Sequence, residues 1–343
     1  MTIPLPIRVA VLGVGRIGRM HAELLARQIP GASLVYVQDV NEAAAAAVGS
    51  DLGVQFTTDV EVVMASAEVD AVAICSSTDT HVALLIAAAD AGKAIFCEKP
   101  VSLDLAEVDR ALAIIATSGV PLQIGFNRRF DPAHASVRDA VVSGAVGDVH
   151  LVRITSRDPA PPPIEYVKVS GGLFCDMTIH DFDMARFITG SEVTEVYAKA
   201  AVRVDPAIVA AGDVDTAVVV LTHANGAITT IDNSRQAVYG YDQRVEAFGS
   251  AGMAASDNPL QHTGIRRSAA GTVGATIPYF FLERYIPSYL HEWAAFVAYV
   301  SSGGESPVNA NDGRAPLVIG LAAKKSAEEG RVVQISEIGC QIG

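Results

Sequence analysis

Short apolar runs and stretches with apolar positions three and four apart alternate along residues 7–126, the rhythm of strands and helices in turn. IRVAVLG (7–13) predicts a strand and RIGRMHAELLARQ (16–28) a helix. SLVYVQDV (33–40) predicts a second strand, and NEAAAAAVGS (41–50) a helix opened by an Asn cap. AVAICSS (71–77), AIFCEKP (94–100) and PLQIGFN (121–127) predict further strands, separated by helices over 79–92, closed by Gly92, and 103–118. Alternation of this kind implies right-handed crossovers and a doubly wound, mostly parallel sheet.

After Asn127 the pattern changes. Residues 131–144 predict one more helix and 148–157 a strand. The segment DPAPPPIEYVKVS (158–170) holds four prolines and predicts a loop. Strand-like runs then follow without intervening helices at 192–200, 215–224, 226–235 and 242–250, with Asn225-Gly226 as a hairpin turn, so the expected sheet is mainly antiparallel. Helices are expected at 288–302 and 311–329. The expected organisation is an α/β Rossmann domain at 1–126 and an α+β domain with a large open sheet at 127–343, the second serving substrate binding and oligomerisation.

Composition narrows the function. A chain of 343 residues suits two domains. Half the residues are hydrophobic, with Ala and Val prominent, which suits strands covered on both faces. The formal net charge of −13 disfavours nucleic acid and anionic lipid, because no basic stripe exists to displace counterions. No apolar run has the length of a membrane span, and the N-terminus lacks the pattern of an export signal, so the expected location is the cytoplasm. Cys75, Cys97, Cys175 and Cys340 are scattered, as expected of reduced thiols.

The glycines of GVGRIG stand between the first strand and the first helix. Gly13 permits a tight turn, Gly15 lets backbone approach a pyrophosphate, and Gly18 lets helix pack on strand. Arg16 and Ile17 open the helix whose N–H groups would face the phosphates. Asp39, at the end of the second strand, can accept hydrogen bonds from ribose hydroxyls and repel a 2′-phosphate, favouring NAD over NADP. Its competing role is to help cap the next helix, for which Asn41 is better placed. At the same sheet edge, Ser76 and Thr78 are cofactor candidates, with capping as the alternative for Thr78 or Asp79; His81 is a cofactor candidate or a structural histidine.

Glu98-Lys99-Pro100 also leaves a strand at this edge, and is read as a cofactor-side motif rather than a surface ion pair. In GGLFCDMTIHDFDMAR (171–186), Asp176 and His180 stand four apart, which on one helix puts them on one face, while Asp181 and Asp183 point elsewhere and read as a solvated face. Oxidising a secondary alcohol needs a base for the hydroxyl proton, and His180 is the natural candidate. Asp176 can orient His180 or hold the neighbouring hydroxyl, and Lys99 can stabilise the developing alkoxide. Zinc is the rival, but neither HExxH nor paired cysteines appear, so no metal is expected. HEWAAFVAYV (291–300), with the only Trp, reads as a core stripe without chemistry.

GVGRIG, Asp39, EKP, FNRRFDP and GGLFCDMTIHDFD, in this order, resemble the glucose–fructose oxidoreductase and inositol dehydrogenase (Gfo/Idh/MocA) family over nearly the whole chain. SRDPAPPP and YGYD are most similar to bacterial inositol 2-dehydrogenases. The resemblance implies a Rossmann domain joined to an α+β domain, packed as a homotetramer, with Lys99, Asp176 and His180 as the catalytic residues. It places Arg128, Ser156, Asp158 and Tyr241 around a polyol or sugar, with Arg129 as an alternative to Arg128 or an ion-pair partner, and Tyr239 as a core or sheet aromatic. The implied activity is NAD-dependent oxidation of myo-inositol to the 2-keto inosose. Scyllo- or chiro-inositol, glucose and xylose are alternative substrates. An NADP-bound glucose–fructose oxidoreductase and a non-catalytic dinucleotide sensor are the alternative functions.

Overall fold

In the computed structural model, which describes residues 2–339, the chain divides into two compact units. Cys340 lies outside the described residues. One unit holds the residues through Asn127 together with Tyr289–Ala315; the other holds Arg128–Ser288 and the residues from Pro316 on. The segment Tyr289–Ala315 is an addition to the first unit that a single cut at 126/127 does not provide.

The first unit follows the alternating pattern: β1 (Ile7–Leu12), α1 (Arg16–Arg27), β2 (Ala32–Gln38), α2 (Glu42–Leu52), β3 (Gln55–Thr57), α3 (Val60–Ala65), β4 (Ala71–Ile74), α4 (Thr78–Asp90), β5 (Ala94–Glu98), α5 (Leu105–Ser118) and β6 (Leu122–Gly125). The six strands pair in parallel in the order β3-β2-β1-β4-β5-β6, the doubly wound arrangement with its switch point beside β1. Every residue of β4, β5 and β6 is buried, because helices cover both faces. The helix expected from 103 begins at Leu105, since Asp104 turns its carboxylate back onto the amides of Ala106 and Glu107 as an N-cap. Asn41 caps α2 through Ala44 N, as expected.

The second unit contains α6 (Pro132–Val142), β7 (Val149–Arg157), α7 (Ile164–Val167), α8 (Gly172–Asp176), α9 (Ile179–Thr189), β8 (Val193–Ala201), α10 (Ala207–Ala210), β9 (Thr216–His223), β10 (Ile228–Ser234), β11 (Asp242–Gly249), β12 (Gly252–Ser256), and the hairpin β13 (Arg266–Ser268) and β14 (Gly271–Val273). The chain ends with α11 (Phe281–Ser302), α12 (Ala310–Glu329), β15 (Val333–Gln334) and α13 (Ser336–Gly339). Helix α11 starts before the expected 288 and continues through Pro287. The seven-stranded sheet runs β12-β11-β7-β10-β9-β8-β15, antiparallel except for the parallel pair β7–β10. One face packs on Phe182, Ile188 and Ile319 in a core with Val196, Val219 and Ile231. The other face carries an exposed apolar row, Met253–Phe248–Leu151–Ile228, in consecutive register on four strands. Among the described residues no helix is long and apolar enough to cross a membrane.

Candidate active site

The glycine turn is built as its sequence implies. Gly13 has φ +85°, and a Cβ there would lie 2.5 Å from Ser76 Cα. A Cβ on Gly18 would lie 1.8 Å from the Gly13 carbonyl oxygen, so α1 packs directly on the turn. Around Gly15 the space is open, and this N-cap has no side-chain capping bond. The first amides of α1 thus start at an exposed Gly15 and Arg16, with Ile17 half-buried behind them. Asp39 braces the loop: its carboxylate accepts from Val14 N at 2.8 Å and Asn41 N at 2.9 Å. A carboxylate has about four acceptor positions, so two remain for ribose hydroxyls. Cradle, helix terminus and acid together fit a dinucleotide.

The loop after β4 places Ser76 Oγ 2.6 Å from Thr80 Oγ1. Thr78 is the first residue of α4; the N-cap is Ser77, whose side chain makes no capping bond. His81 is buried, Nδ1 facing Pro100 O at 2.9 Å and Nε2 facing Ser76 O at 3.1 Å, so it ties this loop to the one after β5. Burial holds its pKa down, against the pull of both carbonyls. Glu98 is buried against His21 (2.8 Å), and Lys99 is half-buried beside it.

The second unit gathers the polar residues expected at the substrate. Arg128, in a 3-10 turn over Asn127–Phe130, donates to Asp181 Oδ1 (2.6 Å), Ser156 Oγ (3.3 Å) and Tyr241 Oη (3.3 Å). Asn233 donates to the other Asp181 oxygen at 2.8 Å and accepts from Thr178. Arg129 pairs with Asp183 at 2.5 and 2.8 Å, the ion-pair role weighed for it. Asp181 and Asp183 are therefore not a solvated face: they are 0% and 1% exposed. Periodicity missed this because the partners sit about fifty residues upstream. Burial pushes the Asp181 carboxyl up to about 6, opposed first by Arg128.

Asp176 and His180 are not on one helix either. Asp176 ends α8 and His180 lies in the first turn of α9, with Met177 and Thr178 between the helices. Asp176 accepts from Tyr166 Oη (2.8 Å) and from Arg235 Nη2 (3.0 Å); Arg235 also donates to Asp158 (3.2 Å). Arg235 is buried and went unrecognised in the sequence. Its available signal was position: it follows β10, whose Asn233 and Ser234 register with Ser156 and Arg157 on parallel β7. Tyr166 comes from the short helix inside the proline-rich segment. Burial pushes Asp158 up while Arg235 pulls it down. Tyr239 is half exposed rather than a core aromatic, and its hydroxyl donates to Asp242 at 2.6 Å.

Residues 7–126 match the family model described as "Oxidoreductase family, NAD-binding Rossmann fold", and residues 134–255 the "GFO/IDH/MocA C-terminal domain". The chain is 51% identical over 332 residues to a protein named myo-inositol 2-dehydrogenase from Thermotoga maritima, covering 96% of this chain and 99% of the relative.

This chain belongs to the Gfo/Idh/MocA oxidoreductase family.

Among solved family members, a myo-inositol dehydrogenase from Corynebacterium glutamicum superposes with a TM-score of 0.91 at 39% identity, over 97% of this chain and 99% of that one. A scyllo-inositol dehydrogenase from Lactobacillus casei, solved with NAD(H) and scyllo-inositol, gives 0.90 at 30% identity over 96% and 99%. The Gfo/Idh/MocA assignment accounts for both sheets, and the NAD-binding Rossmann fold for the cradle around Gly13, Gly15, Gly18 and Asp39.

Proposed function

We propose that this protein is an NAD-dependent inositol 2-dehydrogenase that oxidises one ring hydroxyl of myo-inositol to the 2-keto inosose. The observation that carries the reading is the presence, in one chain, of an Asp39-braced glycine turn and an Arg235-held carboxylate pair, Asp158 and Asp176. The similarity to a myo-inositol 2-dehydrogenase over nearly all of the chain supports the same substrate class. A ring bearing many hydroxyls needs fixed donors and acceptors, since each buried hydroxyl left unpaired costs about 1–3 kcal/mol. Arg128, Ser156, Asp158 and Tyr241 supply such groups; Arg128 bonds to Ser156 and Tyr241, and Arg235 to Asp158, before substrate arrives.

The Gly13–Gly18 turn, the first amides of α1 at Arg16 and Ile17, Asp39, Ser76, Thr78, His81, Glu98 and Lys99 would hold NAD. When bound, NAD supplies the hydride acceptor. In this reading His180 takes the hydroxyl proton, and the Lys99 ammonium stabilises the oxygen as negative charge develops. Asp176, fixed by Arg235 and Tyr166, holds the adjacent hydroxyl or orients His180. We also propose a homotetramer, supported by the apolar row Met253–Phe248–Leu151–Ile228 on the open sheet, and a cytoplasmic location, supported by free thiols at Cys75, Cys97 and Cys175.

The test is NADH formation, followed by absorbance, with the purified protein, NAD and a panel of myo-, scyllo- and chiro-inositol, glucose and xylose at mildly alkaline pH. Myo-inositol should give the highest kcat/KM. Preference for scyllo-inositol or an aldose would replace the substrate, and no NADH from any polyol would point to a dinucleotide sensor.

A further inference from the structure

The stretch HEWAAFVAYV carries a polar constellation that the apolar-stripe reading leaves out. Trp293 is fully buried, stacked on Phe96 with centroids 4.6 Å apart, and its indole N–H donates to His21 Nδ1 at 2.9 Å. An indole nitrogen only donates. His21 Nδ1 is therefore the bare, accepting nitrogen, and the ring's one proton sits on Nε2, which donates to Glu98 Oε1 at 2.8 Å. His21 is itself fully buried, enclosed by the rings of Phe96, Tyr289 and Trp293 at 5.3–5.7 Å. The hydrogen-bond chain Trp293→His21→Glu98 has one direction, and it ends on the residue that precedes Lys99.

Glu292, next to Trp293, is also fully buried, and among the described residues neither of its carboxyl oxygens has a hydrogen-bond partner. Gln123 Nε2 donates to its main-chain oxygen at 3.3 Å. Two residues further along the same strand, a Cβ on Gly125 would lie 3.1 Å from the Glu98 carboxyl carbon. Burial, and then the charge of Glu98, push the Glu292 carboxyl well above its ordinary range. Tyr289 stands edge-on to His21, Lys99 follows Glu98 in the chain, and the thiols of Cys75 and Cys97 are both pushed up by burial. Neither the ring nor the thiols supplies a positive charge to Glu292, and two buried carboxyls in such surroundings do not both ionise.

We propose that Trp293 and His21 are positioning residues for the reaction, their one-way hydrogen-bond chain fixing the orientation of the Glu98 carboxylate beside Lys99, and that the buried Glu292 is held as a neutral acid. The proposal rests on the assignment of Lys99 to the chemistry. Trp293→Phe keeps an aromatic ring on Phe96 and removes the indole donor that fixes the His21 tautomer.

Nitrogen NMR of labelled histidine in the whole protein should show His21 as the single Nε2–H tautomer. In Trp293→Phe the two neutral tautomers should mix. The kcat of that variant should then fall about tenfold or more, the scale on which a misplaced catalytic group is felt, with KM for the polyol and NAD affinity retained. Infrared spectra should contain a protonated-carboxyl stretch that disappears in Glu292→Gln, a measurement that stands even if the Trp293 variant does not fold. An Nδ1–H tautomer of His21 in the unmodified protein, a missing carboxyl band, or an undiminished kcat in Trp293→Phe would overturn the proposal. Near-normal turnover in Lys99→Ala would instead sink the role of Lys99 and leave the NMR and infrared signatures intact.

Discussion

Replacing Arg235 with methionine tests the second unit's polar cluster most directly. Methionine approximates the buried stem and removes the guanidinium that joins Asp158 at 3.2 Å to Asp176 at 3.0 Å. Two charge-assisted hydrogen bonds are lost, and two carboxylates are left without the cation between them. Breaking a buried pair from one side costs about 3–5 kcal/mol. For a domain of this size each kcal/mol lowers Tm by about 2–4 °C, so a fall of roughly 6–20 °C is expected. The sign of the pH dependence follows from Asp158, whose pKa burial already raises. Without Arg235 the folded state holds a proton there that the unfolded chain releases, so the variant loses stability as pH rises above the ordinary carboxylate range. Thermal unfolding of both proteins at mildly acidic and mildly alkaline pH therefore should show the larger gap in alkali. KM for the polyol should rise at the same time. A Tm shift below about 2 °C, or an equal gap at both pH values, would refute the claim that Arg235 holds these carboxylates in a buried site.

Other substitutions test the remaining assignments. Lys99→Ala and His180→Ala should each lower turnover about a hundredfold or more while NAD binding, measured by calorimetry, survives; near-normal turnover would move the chemistry to other residues. Asp39→Ala removes the acceptor for Val14 N as well as for ribose, and should weaken NAD about tenfold, as expected for one charge-assisted bond, and relax discrimination against NADP. An unchanged cofactor preference would leave Asp39 as a loop brace only. Burial lowers the His134 pKa to about 3; the unfolded chain takes up a proton near pH 6.5 that the folded state refuses, so stability falls as pH drops from there towards 3. His134→Asn, which can keep a bond to Ser256, should flatten that part of the denaturation profile, and an identical acid slope would assign the loss to other groups.

The first unit was legible in the sequence because its signals are local. Gly13, Gly15 and Gly18 lie within six positions, and buried strands such as AVAI and AIFCE read as unbroken apolar runs. The edge strand Gln55–Thr57 is short and largely exposed, and left no such trace. In the second unit the strand alternation was readable, since one face of the sheet is buried, but the meaning of its polar residues was not. Asp181 and Asp183 look like a wet helix face until Arg128 and Arg129 arrive from a distant turn. Arg235 acquires its role only through the pairing of two strands about 80 positions apart in the chain. The break at Met177–Thr178 escaped because residues spaced like one helix also fit two short helices in succession. In Trp293 the apolar body set the reading, although its one polar atom carries a directional bond.

The single parallel pair in an otherwise antiparallel sheet has an evolutionary consequence. With β7 and β10 aligned, Ser156 and Asn233 stand in register, and Asp158 and Arg235 lie just beyond. In a strand, slipping by one residue turns each side chain to the opposite face. Insertions or deletions inside either strand would therefore scramble this polar edge outright, whereas exchanges of single side chains at the two tips leave the ladder untouched. Diversification toward new polyols would be channelled into point changes at those tips and into the proline-rich segment that follows β7.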